Sequence, residues 1–188
     1  MTAVQQPRTM TLDEFLAWEA KQETRHEFVD GEIFAMTGGT LFHAHIITNL
    51  KRLLLGQLDA CGCLTYSETQ VRADHNLFYP DIVVTCDPNA LDRPLIEQPT
   101  LIVEVLSPST ESYDRGIKCT LYQQLLPTLR SYLLVSQDSL RVDVFRRTTS
   151  GWHFSSHTGP EAVVELADPP CRLPLSAVYQ GLLTRLPT

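Results

Sequence analysis

The chain has 188 residues, of which 43% are hydrophobic and 20% are charged, and its formal net charge is −7. These values predict one folded domain with a substantial core and exclude a largely disordered chain. Because nonspecific DNA affinity comes mainly from lysine and arginine, an acidic chain with only three lysines is poorly suited to coating nucleic acid.

The N-terminal segment and the cysteines give information on the cellular compartment of the protein. Residues 1–9 hold no apolar stretch of the signal-peptide kind, and we expect a flexible segment there, ahead of a single domain over residues 10–188. No apolar run reaches membrane length, so a cytoplasmic protein with no membrane partner is expected. The five cysteines show no disulfide-like spacing, which predicts reduced thiols, with Cys86 and Cys119 serving as small hydrophobic residues.

The first third of the chain predicts a helix, a hairpin and a longer helix. Thr11 and Glu14 have the spacing of a capping box, which predicts a helix over about 12–20. Asp30-Gly31 separates two apolar runs and is the strongest hairpin signal in the sequence. A helix over about 41–58 follows, with Thr40 as its N-cap and one face formed by residues at spacings of three and four: His43, Ile47, Leu50, Leu54 and Leu58.

The remainder of the chain predicts strands interrupted by one more long helix. A strand over 64–72, a turn over 73–77 and a strand beginning at Asp81 predict an antiparallel pair. Further strands are expected at 101–106, 132–135, 140–146, 152–155 and 163–166, and a last helical turn near 176–183. The helix lies over 114–126, with an apolar stripe of Ile117, Leu121 and Leu125. The predicted fold class is α/β in the broad sense, an α+β arrangement with a central mixed sheet flanked by helices and an N-terminal β-hairpin.

Two carboxylates interrupt the apolar strands. Asp81 opens the strand Asp81-Ile82-Val83-Val84, and Glu104 lies in the middle of the run 101–106. A carboxylate half inside a sheet is unfavourable unless it meets a cation, and neighbouring strands in register would bring both side chains to one face. Oxygen ligands suit Mg²⁺ or Mn²⁺, and the Val105 carbonyl and Glu27 could add to the set. The competing interpretation is a hydrogen-bonded pair with only a structural role.

Four blocks of sequence, in order, resemble one protein family. They are Arg25-His26-Glu27-Phe28-Val29-Asp30-Gly31-Glu32, Tyr79-Pro80-Asp81-Ile82-Val83-Val84, Val103-Glu104-Val105-Leu106-Ser107-Pro108-Ser109-Thr110 and Tyr113-Asp114-Arg115-Gly116-Ile117-Lys118. Together they look like the Uma2 family, which is grouped with the PD-(D/E)XK, restriction-endonuclease-like proteins, and the resemblance covers nearly the whole chain. It implies a restriction-endonuclease-like core and a Mg²⁺-dependent nuclease site, with Asp81 and Glu104 as metal ligands and Glu27 as an accessory acid.

The chain departs from the superfamily pattern at Leu106. The superfamily motif places a lysine two residues after the acid, and this chain has a leucine there. Lys118 is the best replacement, because a lysine on the following helix could reach back over the carboxylates and stabilise developing negative charge. The competing interpretation is a surface ion pair with Asp114, four residues earlier on the same helix.

We therefore expect a metal-dependent endonuclease that cuts DNA by water attack, with four catalytic residues: Asp81, Glu104, Lys118 and Glu27. A homodimer is expected by analogy with restriction enzymes that cut both strands. The alternative is an inactive relative that uses the fold for binding or assembly, which the acidic charge and the missing strand lysine favour. No base-reading motif is visible, so DNA and RNA both remain open as substrates.

Several other polar residues have a structural and a functional interpretation. His43 is expected to be a capping or core-edge residue rather than one with a role near the metal, and Tyr113 and Tyr122 are expected to be packing residues rather than platforms for base stacking. A zinc site formed by Cys61 and Cys63 with His43 and His45 is a weak alternative, because the spacing fits no common zinc motif. A basic surface would have to come from arginines of the C-terminal half, which can equally be solvated strand and turn positions: Arg130, Arg141, Arg146 and Arg147.

Overall fold

The computed structural model describes residues 10–36 and 38–186, so the predicted flexible segment 1–9 lies outside the described residues. The helices are Leu12–Glu19 (α1), Leu41–Leu58 (α2), Glu111–Tyr113 (α3), Cys119–Leu125 (α4) and Leu175–Val178 (α5). The strands are His26–Val29 (β1), Glu32–Ala35 (β2), Leu64–Tyr66 (β3), Val71–Ala73 (β4), Asn76–Phe78 (β5), Ile82–Thr85 (β6), Leu101–Val105 (β7), Ser131–Val135 (β8), Arg141–Thr148 (β9), Gly151–Thr158 (β10), Val163–Ala167 (β11) and Pro170–Pro174 (β12).

A mixed six-stranded sheet in the order β10-β9-β8-β7-β6-β3 forms the centre of the fold. Only β7 and β8 are parallel, and such a pair needs a crossover connection, which here contains α3 and α4. Helix α2, helix α5 and the β11-β12 hairpin pack on one face of the sheet. The crossover helices and a four-stranded sheet, β2-β1-β5-β4, pack on the other face. The predicted mixed sheet flanked by helices is confirmed.

Three local predictions near the N-terminus match the structure. Thr11 caps α1, and Glu14 completes the capping box by accepting from the Thr11 amide. Asp30 and Gly31 connect β1 to β2 with φ angles of 50° and 87°, the left-handed conformation that this turn requires. Helix α2 spans the predicted residues, and the Thr40 hydroxyl accepts from the His43 amide at its start. Each of these signals involves residues close together in sequence.

The predicted strand over 64–72 is wrong, because the chain leaves one sheet and enters another within it. Residues 64–66 form β3, at the edge of the central sheet, whereas Val71–Ala73 forms β4 in the four-stranded sheet. The predicted turn over 73–77 is also too long, since Asn76–Phe78 forms β5 and only Asp74 and His75 make the turn. Alternation of polar and apolar residues reports a strand's faces and carries no information on which sheet it joins. The antiparallel pairing of β3 with β6 is as predicted.

The helix predicted over 114–126 turns a different face to the core. Asp114–Lys118 forms a π-helical turn between α3 and α4, and Ile117 is 57% exposed rather than part of a buried stripe. The buried positions are instead Asp114, Lys118 and Tyr122, which are four residues apart. Single π-helical turns are frequent at functional sites, and this one turns an acid and a lysine inward.

Cys63 and Cys86 form a disulfide, so the prediction that all five cysteines are reduced is wrong. Leu64 pairs with Thr85 in the β3-β6 ladder, which makes these cysteines the next facing positions, with Cα atoms 4.2 Å apart. A separation of 23 residues hid this pairing in the sequence. The bond also removes Cys63 from the zinc site considered above.

Within residues 10–36 and 38–186, no helix is both long and apolar enough to cross a bilayer.

Candidate functional site

Asp81 and Glu104 face each other where β6 begins and β7 ends. Ile82 is opposite Val103 in the antiparallel ladder, so the next facing position pairs Asp81 with Glu104. Oε2 of Glu104 accepts from the Asp81 amide at 3.1 Å, and Oδ2 of Asp81 accepts from the Val105 amide at 2.7 Å. The two carboxylates are therefore held beside one another by reciprocal hydrogen bonds to each other's strand.

Glu27 enters the same site from strand β1 of the smaller sheet. Its side chain is only 1% exposed, although a glutamate in a hairpin is ordinarily solvated. Its Oε1 accepts from the Tyr79 amide at 2.9 Å, and its Oε2 accepts from the Tyr113 hydroxyl at 3.2 Å. The hairpin thus delivers a fully buried, hydrogen-bonded acid to the site.

The ammonium of Lys118 joins the two sheets. Nζ lies 2.8 Å from Oε1 of Glu27 and 2.8 Å from Oε1 of Glu104. Asp114 is more distant, at 3.9 Å from Nζ, and both it and Lys118 are buried. A surface ion pair between Asp114 and Lys118 is therefore the wrong description of this lysine. Its side chain reaches Glu104, near the end of β7, from the crossover connection.

Burial and charge together set the protonation of this cluster. Burial raises the pKa of Glu104, Lys118 partly opposes that rise, and Asp81 adds to it, so the pKa lies well above its ordinary value. Burial alone would lower the pKa of Lys118, but Glu104 and Glu27 outweigh it and raise that pKa well above its usual range. Lys118 therefore stays charged at neutral pH. Three buried acids, Glu27, Glu104 and Asp114, surround it, and their mutual repulsion can be relieved either by protonation of Glu104 or by a further cation.

Tyrosines and a phenylalanine enclose the cluster. The Tyr122 hydroxyl donates to Oε1 of Glu104 at 3.3 Å, so this residue does more than fill space. The ring centroids of Phe78, Tyr113 and Tyr122 lie 6.0, 5.8 and 5.9 Å from Nζ of Lys118. Aromatic walls keep water from the ion pairs and strengthen them. The prediction that these tyrosines are packing residues did not include the hydrogen bonds of their hydroxyl groups. The sequence signal for Tyr122 was its spacing of four from Lys118, which is itself four residues after Asp114.

The ring of His43 also reaches this site, in addition to the expected contact of its backbone with the helix cap. Its Nε2 lies 3.1 Å from Oδ2 of Asp81, while its amide completes the Thr40 cap of α2. Burial lowers the pKa of His43, but the hydrogen bond to Asp81 and the negative charge of Asp81 together raise it by more, so the pKa lies above its ordinary value. The zinc partner considered for it, His45, is instead directed to the Gln180 carbonyl.

The oxygen atoms of Asp81, Glu104 and Val105 could hold a hard divalent cation. Among the described residues, no group of three or more His, Cys, Asp or Glu side chains is arranged to hold a metal ion. Mg²⁺, however, commonly binds through one or two carboxylates and completes its sphere with water. Both hydrogen bonds that the Asp81 side chain makes with described residues end on Oδ2, which leaves Oδ1 for another ligand. The oxygen donors, set among buried acids, therefore fit such an ion.

The arginines considered as a basic surface are largely engaged within the protein. Arg130 and Arg141 lie 3.3 and 3.7 Å from the carboxylates of Asp168 and Asp143. The guanidinium of Arg147 lies 4.5 Å from the centroid of the Trp152 ring. It also donates hydrogen bonds to three backbone carbonyls, those of Gln123, Leu126 and Leu129. These contacts favour a structural role for the arginines over a role in binding phosphates.

Comparison with known proteins places this architecture in a family. The family model Uma2, described as "Putative restriction endonuclease", matches residues 12–174. Two uncharacterized proteins of Synechocystis sp. (strain ATCC 27184 / PCC 6803 / Kazusa) are similar to the chain. The protein slr1290 is 37% identical to this chain, and the alignment covers 90% of this chain and 91% of slr1290. The protein sll1609 is 28% identical, and the alignment covers 89% of this chain and 98% of sll1609.

A solved structure shares the fold. It is the crystal structure of a protein from Anabaena variabilis ATCC 29413, described as a putative nuclease belonging to DUF820. The two structures superpose with a TM-score of 0.74 over 92% of this chain and 99% of that chain, at 19% sequence identity. The family match covers the strands and helices that carry the acids and the lysine described above. The chain therefore belongs to the Uma2 family, and its fold is nuclease-like.

Proposed function

We propose that this protein is a Mg²⁺- or Mn²⁺-dependent endonuclease that hydrolyses phosphodiester bonds in DNA. The observation that carries the proposal is the contact of the Lys118 ammonium with Glu104, beside Asp81, at the end of two strands of a nuclease-like sheet. Paired acids and an adjacent ammonium are the groups that water attack on a phosphodiester needs, because charge develops on both the attacking water and the phosphate.

Each residue of the cluster has a distinct role in this proposal. Asp81, Glu104 and the Val105 carbonyl would hold the ion, which supplies a Lewis acid for a phosphate oxygen and for the attacking water. Lys118 places a fixed positive charge against the carboxylate oxygen of Glu104, close to where negative charge develops. Glu27 holds that ammonium from the other side and so fixes its position.

The test is nicking of supercoiled plasmid in Mg²⁺, Mn²⁺ or EDTA. Glu104→Gln should abolish metal-dependent nicking, and Lys118→Met should slow it roughly 100-fold or more, because each removes a charge aimed at the reacting groups. Glu19→Gln is the matched control: it changes a buried glutamate that binds the His26 amide outside this cluster. Nicking by Glu104→Gln at the parent rate would remove Glu104 from the mechanism.

A second candidate is an inactive relative that uses the fold for binding or assembly. It is favoured by the net charge of −7 and by the internal contacts of the arginines, which leave few groups to meet phosphates. Titration calorimetry with Mn²⁺ distinguishes the two: heat of binding in the parent that disappears in Asp81→Asn supports the nuclease, whereas no heat in the parent supports the inactive relative.

The proposal includes a homodimer and a DNA substrate. One such site cuts one strand, so cleavage of both strands requires two sites, and symmetric dimers supply them. Sedimentation of the protein alone and with DNA measures the assembly. Side-by-side digestion of duplex DNA, single-stranded DNA and RNA measures the substrate, and preferential cleavage of RNA would contradict the choice of DNA.

A further inference from the structure

His43 contacts one of the groups that would hold the ion. Its Nε2 lies 3.1 Å from Oδ2 of Asp81, the same oxygen that accepts from the Val105 amide at 2.7 Å. The two side chains are 15% and 18% exposed, so they lie at the opening of a cluster whose other members are buried. The imidazole reaches this position from α2, on the face of the sheet opposite Lys118.

The main chain of Gly39 holds the other side of the imidazole. A Cβ atom placed on Gly39 would lie 2.6 Å from Nδ1 of His43 and 3.0 Å from its Cγ, closer than such atoms approach. At the preceding glycine, Gly38, a Cβ would meet nothing within 4 Å. Any other residue at position 39 would therefore displace the His43 ring, whereas position 38 has room for a side chain.

The backbone of His43 is fixed as well. Its amide donates to the Thr40 hydroxyl at 3.2 Å in the first turn of α2. The ring thus has a fixed origin in the helix, the Gly39 main chain on one side, and the Asp81 carboxylate on the other. A side chain held in this way can set the direction of the carboxylate that it contacts.

We infer that Gly39 and His43 form a positioning pair that orients the Asp81 carboxylate for a divalent cation. This inference rests on the proposed function. His43 and the Val105 amide both hold Oδ2 of Asp81, which presents Oδ1 to the ion in one orientation. A ligand fixed before binding loses less freedom on binding, and losing such a partner typically weakens metal affinity by about 10- to 100-fold.

The experiment measures Mn²⁺ affinity of the full chain without DNA, by electron paramagnetic resonance of free Mn²⁺. Gly39→Ala and His43→Ala should each weaken binding by about 10- to 100-fold, while the matched control Gly38→Ala binds as the parent does. His43→Gln should recover part of the affinity, because its amide nitrogen can donate to Oδ2 of Asp81. Circular dichroism melting of each variant separates loss of the site from loss of the fold.

The outcomes separate this inference from the function on which it rests. Absence of Mn²⁺ binding in the parent would overturn both. Parent-like affinity in Gly39→Ala and His43→Ala would overturn the positioning role and leave the metal site standing. Equal weakening in Gly38→Ala and Gly39→Ala would also overturn it, because the effect would then come from any side chain in this loop. Total loss in His43→Ala without recovery in His43→Gln would overturn it by making His43 a ligand itself.

Discussion

Lys118→Met removes the positive charge at the centre of the buried cluster while keeping a side chain of similar length. Nζ contacts Glu27 and Glu104 at 2.8 Å each, and both carboxylates are buried. Removing one partner of a buried ion pair typically costs about 3–5 kcal/mol. Both carboxylates keep other hydrogen-bond donors, so we expect the lower end, a loss of about 3 kcal/mol in the free energy of unfolding at neutral pH.

The loss in the free energy of unfolding caused by Lys118→Met should depend on pH. Burial and Asp81 raise the pKa of Glu104, and Lys118 is the group that opposes them, so in the variant that pKa rises further. A group whose pKa is higher in the folded state stabilises the fold below its unfolded pKa, and that contribution is lost as pH rises through the folded pKa. The loss of stability should therefore shrink as pH falls through the further raised pKa of Glu104 in the variant, because Glu104 becomes neutral at a higher pH there than in the parent.

Urea unfolding followed by circular dichroism measures both effects. The control is Lys51→Met, the same substitution on a lysine whose Nζ donates to the Ser67 hydroxyl at 2.9 Å, and it should lose no more than about 1 kcal/mol. The reasoning is refuted if Lys118→Met loses no more than that control. A loss that stays constant over the whole pH range would refute the electrostatic account even if its size were right.

Two further predictions concern stability. Reduction of the disulfide between Cys63 and Cys86, which are separated by 23 positions in sequence, should lower the free energy of unfolding by about 3 kcal/mol in thermal melts with and without reductant. Cys61→Ser should stay sensitive to reductant, and a Cys63→Ala/Cys86→Ala double variant that still responds would contradict the assignment. Tyr122→Phe removes a hydroxyl donor to buried Glu104 and should cost about 1–2 kcal/mol in urea unfolding, whereas an unchanged midpoint would show that this hydrogen bond contributes nothing.

Local sequence rules determined the ends of the early elements and the position of the acidic pair. The capping box of α1, the Asp30-Gly31 turn and the Thr40 cap each involve residues within a few positions of one another, so their chemistry is readable without the fold. Asp81 and Glu104 were also predictable, because a charge inside an apolar strand demands a partner whatever the topology.

Only the tertiary structure decided which residues complete the site. Glu27 lies on a separate sheet, and the sequence could not show that its hairpin packs against the end of the central sheet. The helical pattern favoured an apolar stripe through Ile117, whereas the π-helical turn and the nearby carboxylates bury Lys118 instead. The pairing of Cys63 with Cys86 likewise depended on the register of two strands.

These two kinds of outcome have one physical origin. The helix caps and the Asp30-Gly31 turn depend on backbone geometry within a few residues, so the sequence alone determined them. The direction in which Lys118 points depends on electrostatic attraction to acids 14 and 91 residues away, Glu104 and Glu27, whose positions exist only once the sheets have packed. Attraction between groups so far apart in sequence becomes strong only in the buried, water-poor space that the folded chain creates.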